Sequence, residues 1–313
     1  MKYNRLIKTA PLVSEIGIGA WQLGVNSGWK SMTENEAIEL IKESLECGVN
    51  FFDTAPNYGR GTSEIRLGKA LKGTDRDKIV INTKFGHSDK GETNYSSDYI
   101  RESLEGSLRR LQTDYLDSII IHNPPYEYLD GNNNDHYEIF EKLIDEGKIK
   151  AYGASLDTFN EMKLFMETTQ CEVIEAFFNI LHQDAARAFD LALEKEVGII
   201  VKIPLDSGWL SGKYDENSTF DDIRKRWTRD DIRIRAALVN RIKDIIDQEN
   251  VLSQTAISFC LAYDAVSTVI PGNASLAQFK NNLESISKPI SKDVVANLED
   301  FYQIEVKELN LPW

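Results

Sequence analysis

Cysteine is scarce in this chain, with three residues, Cys47, Cys171 and Cys260, among 313. None forms a Cys-x-x-Cys pair, which argues against a zinc site or a disulfide framework and leaves buried thiols in a reducing cytoplasm as the expectation. Histidine is also scarce, with four residues, so a metal-dependent barrel hydrolase or isomerase is poorly supported and no metal is expected. Basic charge is outnumbered: 36 Lys and Arg face 50 Asp and Glu, a net charge of −14. The summed field repels polyanions, so neither nucleic acid nor an anionic membrane is an expected partner. An anionic cofactor would have to be met locally, by amides and lysines. No apolar run is long enough to cross a bilayer, and residues 1–8 lack the apolar core of a signal peptide. A complete Gly-x-Gly-x-x-Gly is missing too. Gly17-Ile18-Gly19 begins one, but Trp21-Gln22-Leu23 follows where the third glycine would stand.

What is present is alternation. Residues 3–14 read as a short hairpin that turns near Lys8 to Pro11. Eight short β-rich runs follow, at 16–20, 50–53, 79–84, 118–122, 151–155, 173–178, 198–203 and 268–271. Helical stripes separate them. Thr33 and Glu36 form a capping box for the first, which Gly48 ends. Others are expected at 99–111, 135–146, from a cap at Asp157 to 167, at 185–196, 235–249 and 253–261, and the last from Ser275. Strand–helix repetition implies parallel units. Eight of them predict one α/β domain, a (β/α)8 TIM barrel over residues 1–313 with a short N-terminal β-hairpin; a doubly wound sheet is the runner-up. Residues 213–233 break the rhythm, being polar and without a stripe, and are expected to form a lid insertion.

The chain is organised around Asn50 to Lys69, Asn-Phe-Phe-Asp-Thr-Ala-Pro-Asn-Tyr-Gly-Arg-Gly-Thr-Ser-Glu-Ile-Arg-Leu-Gly-Lys. Phe51 and Phe52 end a buried strand and Asp53 sits where it stops. Pro56 and Gly59 bound a turn carrying Tyr58, and Thr62 or Ser63 is expected to cap the next helix. In a parallel barrel the C-terminal strand ends share one rim. Asp53, Lys84 and His122 stand at three consecutive strand ends, with Tyr58 in the loop after the first. Each has an ordinary reading as a solvated or capping group; together they place an acid, a phenol, an amine and an imidazole on one rim. Carbonyl reduction needs a hydride donor and an acid for the developing alkoxide. A phenol with an ordinary pKa of about 10 can serve if an ammonium lies beside it. Lys84 supplies that charge, Asp53 holds Lys84, and His122 orients the carbonyl.

The run "FFDTAPNYG...SE..LGKAL" resembles the aldo-keto reductases. "IRESLEGSLRRLQTDYLDSIIIH", "LIDEGKIKAYGAS", "PLDSGWLSGKY" and "STVIPGNASLAQFKNNLES" extend the likeness over nearly the whole chain. The resemblance implies a catalytic tetrad of Asp53, Tyr58, Lys84 and His122 and a nicotinamide cofactor, NADP or NAD. It implies cofactor contacts from Trp21, Ser155, Lys202, Pro204, Leu205, Ser207, Gly208, Leu210, Gly272, Asn273, Gln278 and Asn282. Trp21, Trp29, Asn123 and Tyr126 (with Tyr128) are expected to line a substrate pocket. Departures from the pattern are informative. Leu156 replaces the customary Asn after Ser155, Glu175 stands near the usual glutamine, and Lys202 replaces a stacking aromatic. Asn123, where many relatives carry Trp, suits a hydroxylated substrate such as a sugar. The 272–277 loop carries no cation for a 2′-phosphate, which makes NAD use comparable or preferred. The expected protein is a cytoplasmic oxidoreductase of small carbonyls or alcohols, monomeric or homo-oligomeric. The alternative is a non-catalytic nucleotide sensor like the channel β subunits.

Overall fold

A computed structural model describes residues 1–25, 31–246 and 251–312. Strands β1 (Tyr3–Asn4) and β2 (Val13–Ser14) pair antiparallel as the expected hairpin. Eight parallel strands follow in chain order: β3 (Ile18–Gly19), β4 (Phe51–Asp53), β5 (Val80–Phe85), β6 (Leu116–Ile121), β7 (Ile149–Leu156), β8 (Val173–Phe177), β9 (Gly198–Lys202) and β10 (Val266–Ile270). Each pairs with its sequence neighbour. The ring closes where the Gly17 N–H donates to the Val269 carbonyl and the Val269 N–H to the Glu15 carbonyl, both at 2.9 Å. This is the (β/α)8 barrel. Among the described residues no helix is long and apolar enough to cross a membrane.

Strand alternation decides the layers. Side chains alternate faces with period two. Phe51, Val80, Ile120, Ala151, Val173, Ile200 and Ile270 form one interior apolar cluster, and Leu6, Ile7 and Val13 of the hairpin segment pack into it. The hairpin therefore plugs the N-terminal end of the barrel. Two or four residues further along the same strands the inward positions turn polar: Asp53, Asn82, Lys84, His122, Ser155, Glu175 and Lys202, all buried. The intervening positions, such as Phe52, Ile81, Ile119, Ala154, Ile174 and Val201, face the helices and join the outer core.

Several local expectations change. The helix after the Tyr58 loop, Thr62–Leu71, has left-handed Gly61 at its N-cap and no side-chain cap. The Ser63 hydroxyl donates instead to the Ala20 carbonyl at 2.7 Å, tying the helix to the β3 loop. Thr158, not Asp157, caps helix Phe159–Thr168, through a capping box with Glu161; Asp157 is drawn to Lys202. The 185–196 segment divides into a 3-10 turn, Asp184–Ala188, and helix Phe189–Glu194. The helix expected from Arg235 begins at Arg229, because Thr228 and Asp231 form a second such box, and it runs to Ile245. A further helix, Lys292–Phe301, capped by Ser291, was not anticipated. Most of residues 213–233 is exposed, but a 3-10 turn spans Ile223–Arg226, and Trp227 anchors the segment, buried against Trp209 and Phe220.

Candidate active site

The Tyr58 loop is held by backbone packing. A Cβ on Gly59 would sit 1.9 Å from the Gly24 carbonyl oxygen, and one on Gly24 would sit 2.6 Å from the Tyr58 carbonyl oxygen. Gly59 also has φ +59°, a region that glycine enters at little cost. The Gly61 N–H donates to Pro56 O at 2.8 Å, and the Arg66 guanidinium donates to the Leu23 and Met32 carbonyls. Tyr58 is thereby fixed over the rim while its flanks stay irregular.

Below it, Lys84 is fully buried. Its Nζ donates to Asp53 Oδ1 and Oδ2, each at 2.6 Å, and to the Thr54 carbonyl at 3.2 Å. A second carboxylate faces it, with Glu175 Oε2 at 3.0 Å. Asn82 Nδ2 donates to Asp53 Oδ1 at 2.7 Å, and Ser118 donates to Asn82 at 2.6 Å. These two polar groups fix the Asp53 carboxylate from below. Lys84 Nζ lies 5.3 Å from the centre of the Tyr58 ring. The His122 ring meets Tyr58 edge-on at 5.8 Å, and His87 meets His122 edge-on at 4.9 Å. Tyr95 Oη donates to the His122 carbonyl at 2.7 Å, securing that strand end.

Electrostatics assigns protonation states. Burial drives the Tyr58 pKa above its ordinary value, Lys84 pulls it back only in part, and the phenol is an acid at neutral pH. Burial, then Lys84, His87 and Lys202, hold His122 well below the usual histidine range, so it is a neutral imidazole. Burial would discharge Lys84, but Asp53 and Glu175 outweigh it and keep the ammonium charged.

Along the rim, Ser155 Oγ lies 3.0 Å from Asn123 Oδ1 and 3.3 Å from Glu175 Oε1. Lys202 Nζ donates to Asn123 Oδ1 and to Ser155 Oγ, both at 2.9 Å, and pairs with Asp157 at 2.7 Å. A cleft of about 440 Å³ joins these groups. Trp21, Asp53, Tyr58, His122, Asn123, Ser155, Glu175, Lys202, Pro204, Leu205, Ser207, Gly208, Gly272 and Gln278 all border it. A larger depression, about 890 Å³, lies among the N-terminal strand ends, around Lys8, Tyr115, Lys150 and Glu172, and touches none of the tetrad.

Not every expected residue reaches the cleft. Leu210 is fully buried in the outer core. Asn273 and Asn282 are buried and bonded to each other at 2.9 Å, so they hold the 272–278 loop from behind. Tyr126 points outward, 59% exposed, on the 3-10 turn Tyr126–Tyr128, and Tyr128 packs at a tilt against Tyr95 and edge-on against His136. Trp29 lies outside the described residues. Sequence reasoning overlooked Asn82, Gln22, Asn57, Tyr214 and Arg224. Asn82 alone had a signal, a polar residue at an inward position of an otherwise apolar strand.

The far end of the cleft suits an anion. Asp206, Ser207 and Gly208 have φ of +44°, +52° and +96° in succession, a tight turn closed by the Asp206 and Gly208 N–H groups, which donate to the Ile203 and Leu205 carbonyls at 3.2 and 2.8 Å. A Cβ on Gly208 would lie 3.0 Å from the Tyr214 ring. Arg224 Nη1 donates to Tyr214 Oη at 2.7 Å, and Lys213 and Tyr214 border the cleft. The donor set runs from hydroxyl and amide groups near the tetrad to Ser207, Ser211 and Lys213 at the far end. It fits a nicotinamide dinucleotide.

The sequence profile of the aldo/keto reductase family matches residues 15–303. The chain belongs to this family. It is 31% identical to the aldo-keto reductase YhdN of Bacillus subtilis (strain 168) over 242 residues, 72% of this chain and 69% of the relative. It is also 31% identical to the NADH-specific methylglyoxal reductase of Escherichia coli (strain K12) over 228 residues, 68% of this chain and 70% of that one. Among solved structures, the holo form of aldo-keto reductase AKR11C1 from Bacillus halodurans superimposes with a TM-score of 0.79 at 30% identity, covering 95% of each chain. The protein is thus an oxidoreductase of carbonyl compounds in a family that uses nicotinamide cofactors.

Proposed function

We propose that this aldo-keto reductase interconverts a small polar aldehyde or ketone, a sugar included, with its alcohol, using Tyr58 as the acid–base group. The observation that carries the reading is the buried ammonium of Lys84, fixed by Asp53 beneath a phenol that abuts a neutral imidazole. A bound nicotinamide supplies or accepts the hydride at the carbonyl carbon. The chain's residues do the rest. The His122 imidazole, neutral and at the rim, orients the substrate oxygen by hydrogen bonding. Tyr58 gives its proton to that oxygen as negative charge develops, and Lys84 stabilises the phenolate left behind. In the oxidation direction the same phenolate takes the proton back. Asp53 keeps Lys84 charged and aimed.

Asn123 borders the pocket with its Oδ1 already accepting from Lys202. Its amide N–H₂ is the group left to meet a substrate hydroxyl, which favours polar substrates. Ser155 and Lys202 would hold the nicotinamide end, and the 205–208 turn with Arg224 the pyrophosphate. The Escherichia coli relative is NADH-specific by name, in keeping with the cation-free 272–277 loop. Tyr58→Phe tests the mechanism. It removes the proton but keeps the ring, so kcat should fall by about 10²–10⁴ while nucleotide binding, read by fluorescence quenching, stays near that of wild type. A variant keeping more than about half of its kcat would remove Tyr58 from the chemistry.

A further inference from the structure

We infer that Glu175 is a positioning residue that shares Lys84 with Asp53, so that two buried carboxylates compete for one ammonium and together set how strongly Lys84 acts on Tyr58. The geometry is that of one buried cation between two buried acids. Lys84 Nζ lies 2.6 Å from Asp53 and 3.0 Å from Glu175, with all three side chains nearly inaccessible. Glu175 comes from β8, across the barrel from Asp53 on β4, so Lys84 spans the interior. Like charges in one low-dielectric site cannot both ionise freely.

The charged groups around this cluster come from every neighbouring element. Tyr58 lies above it, and His122 at the end of β6 is neutral, with His87 behind it. Lys202 from β9 reaches Glu175 through Ser155 and is itself paired with Asp157. The remaining inward neighbours, Asn82, Ser118 and Thr54, are uncharged. Lys202 favours ionisation of Glu175, while both Asp53 oxygens already accept from Lys84 and Oδ1 also from Asn82, so the shared proton belongs to the pair and not to either acid alone. Burial first, then Glu175, push Asp53 up to about 7 against the pull of Lys84, whereas Lys84 and Lys202 overcome burial to keep Glu175 low.

The consequence can be written as charge. Above the titration of the pair, the Asp53–Glu175–Lys84 cluster carries −1, and the Tyr58 phenolate forms against it. With Glu175→Gln the cluster carries zero at the same pH, because Asp53 then has Lys84 to itself. The phenolate is easier to form by about one pKa unit, a tenfold change in its population. The wild-type arrangement keeps Tyr58 protonated and biases the site toward carbonyl reduction.

The test has two readouts on the full chain. Difference infrared titration of the nucleotide-free protein should show a buried carboxylic acid that ionises near neutrality in wild type and is lost in Glu175→Gln. The rising limb of alcohol oxidation against pH should move about one unit lower in Glu175→Gln, a rate about tenfold higher at a fixed pH on that limb, while Glu175→Asp keeps the wild-type midpoint. A contact needed only for packing or for the cofactor would raise KM or lower kcat in both variants without moving the midpoint. The limb rests on Tyr58 as the acid–base group, and Tyr58→Phe measured alongside reports on that separately; the infrared arm needs no turnover. If Glu175→Gln does not fold, Asp53→Asn serves, since it leaves Glu175 alone with Lys84 and abolishes the near-neutral carboxyl titration. A titration that survives either substitution, or a limb that stays in place in Glu175→Gln, overturns the inference.

Discussion

A 2′-phosphate on the adenosine ribose adds nearly two negative charges to a protein already at −14, so a preference for NADPH needs a cation at that spot. The structure accounts for each side chain there. Ala274 donates its N–H to Gln278 Oε1 at 2.8 Å, and Ser275 caps the helix by accepting from the Gln278 N–H at 3.2 Å. Asn273 and Asn282 are occupied with each other. Lys280 is the nearest basic residue in sequence, and its Nζ is 2.7 Å from Glu43 on the neighbouring helix Glu34–Glu46. A phosphate would therefore meet helix amides and neutral side chains alone. A charge-assisted hydrogen bond contributes roughly 1.5–3 kcal/mol, about one to two decades of affinity. Its absence should leave NADH binding as well as NADPH or better. Ala274→Arg should move the ratio toward NADPH by about tenfold or more. Fluorescence titration with both nucleotides at one fixed salt concentration reads this directly, since screening changes charged contacts at exposed sites. Wild-type protein that binds NADPH about a hundredfold more tightly refutes the reasoning. Lys213, which borders the cleft and has no ion-pair partner among the described residues, would then be the first residue to replace.

Two further outcomes follow from the fold. Leu6→Ala removes a buried side chain from the plug at the N-terminal end, in the same apolar cluster as Val80, Ile120 and Ile200; it should cost about 2–5 kcal/mol in denaturant unfolding while kcat at room temperature holds, because the tetrad sits at the opposite end. A loss below about 1 kcal/mol would mean that the hairpin is not part of the core. Residues 213–218, exposed for the most part and beside the cleft, should be the site of limited proteolysis in the free protein and be protected by nucleotide. Equal cutting with and without nucleotide would count against their closing over the pyrophosphate.

The barrel was legible because its signal is periodic. Eight apolar runs between helical stripes leave few architectures, and the strand ends then fall on one rim by topology. Capping boxes with Glu were read correctly where the acid follows at the third position, as at Thr33. They were missed at Thr158, where Asp157 competed for the role, and at Thr228, where an aspartate stands in for the glutamate. Both misses shifted a helix start, and the second made residues 229–233 look like loop. The 213–233 segment has no stripe because it packs by isolated anchors, Phe220, Arg224 and Trp227, spaced without a period. Periodicity analysis cannot detect such packing.

The site was legible in its parts and not in its wiring. Asp53, Tyr58, Lys84 and His122 announced themselves as chemistry-bearing residues at strand ends. That Lys84 would face two carboxylates could not be read from any one strand, since Glu175 lies ninety-one positions downstream of Lys84 and meets it only because the barrel closes. Glu175 stood out in the sequence as a departure at a glutamine position. Its physical meaning needed the barrel interior, where Val80–Asn82–Lys84 and Val173–Glu175 each turn from apolar to polar along the strand. An uncompensated carboxylate at that depth would destabilise the core. A carboxylate that finds Lys84 and, through Ser155, Lys202 is tolerated, and it changes what the lysine can do for the phenol above. Of this chain's departures from the pattern, the buried acid at a position where a neutral amide would suffice is thus the one that touches Lys84 itself.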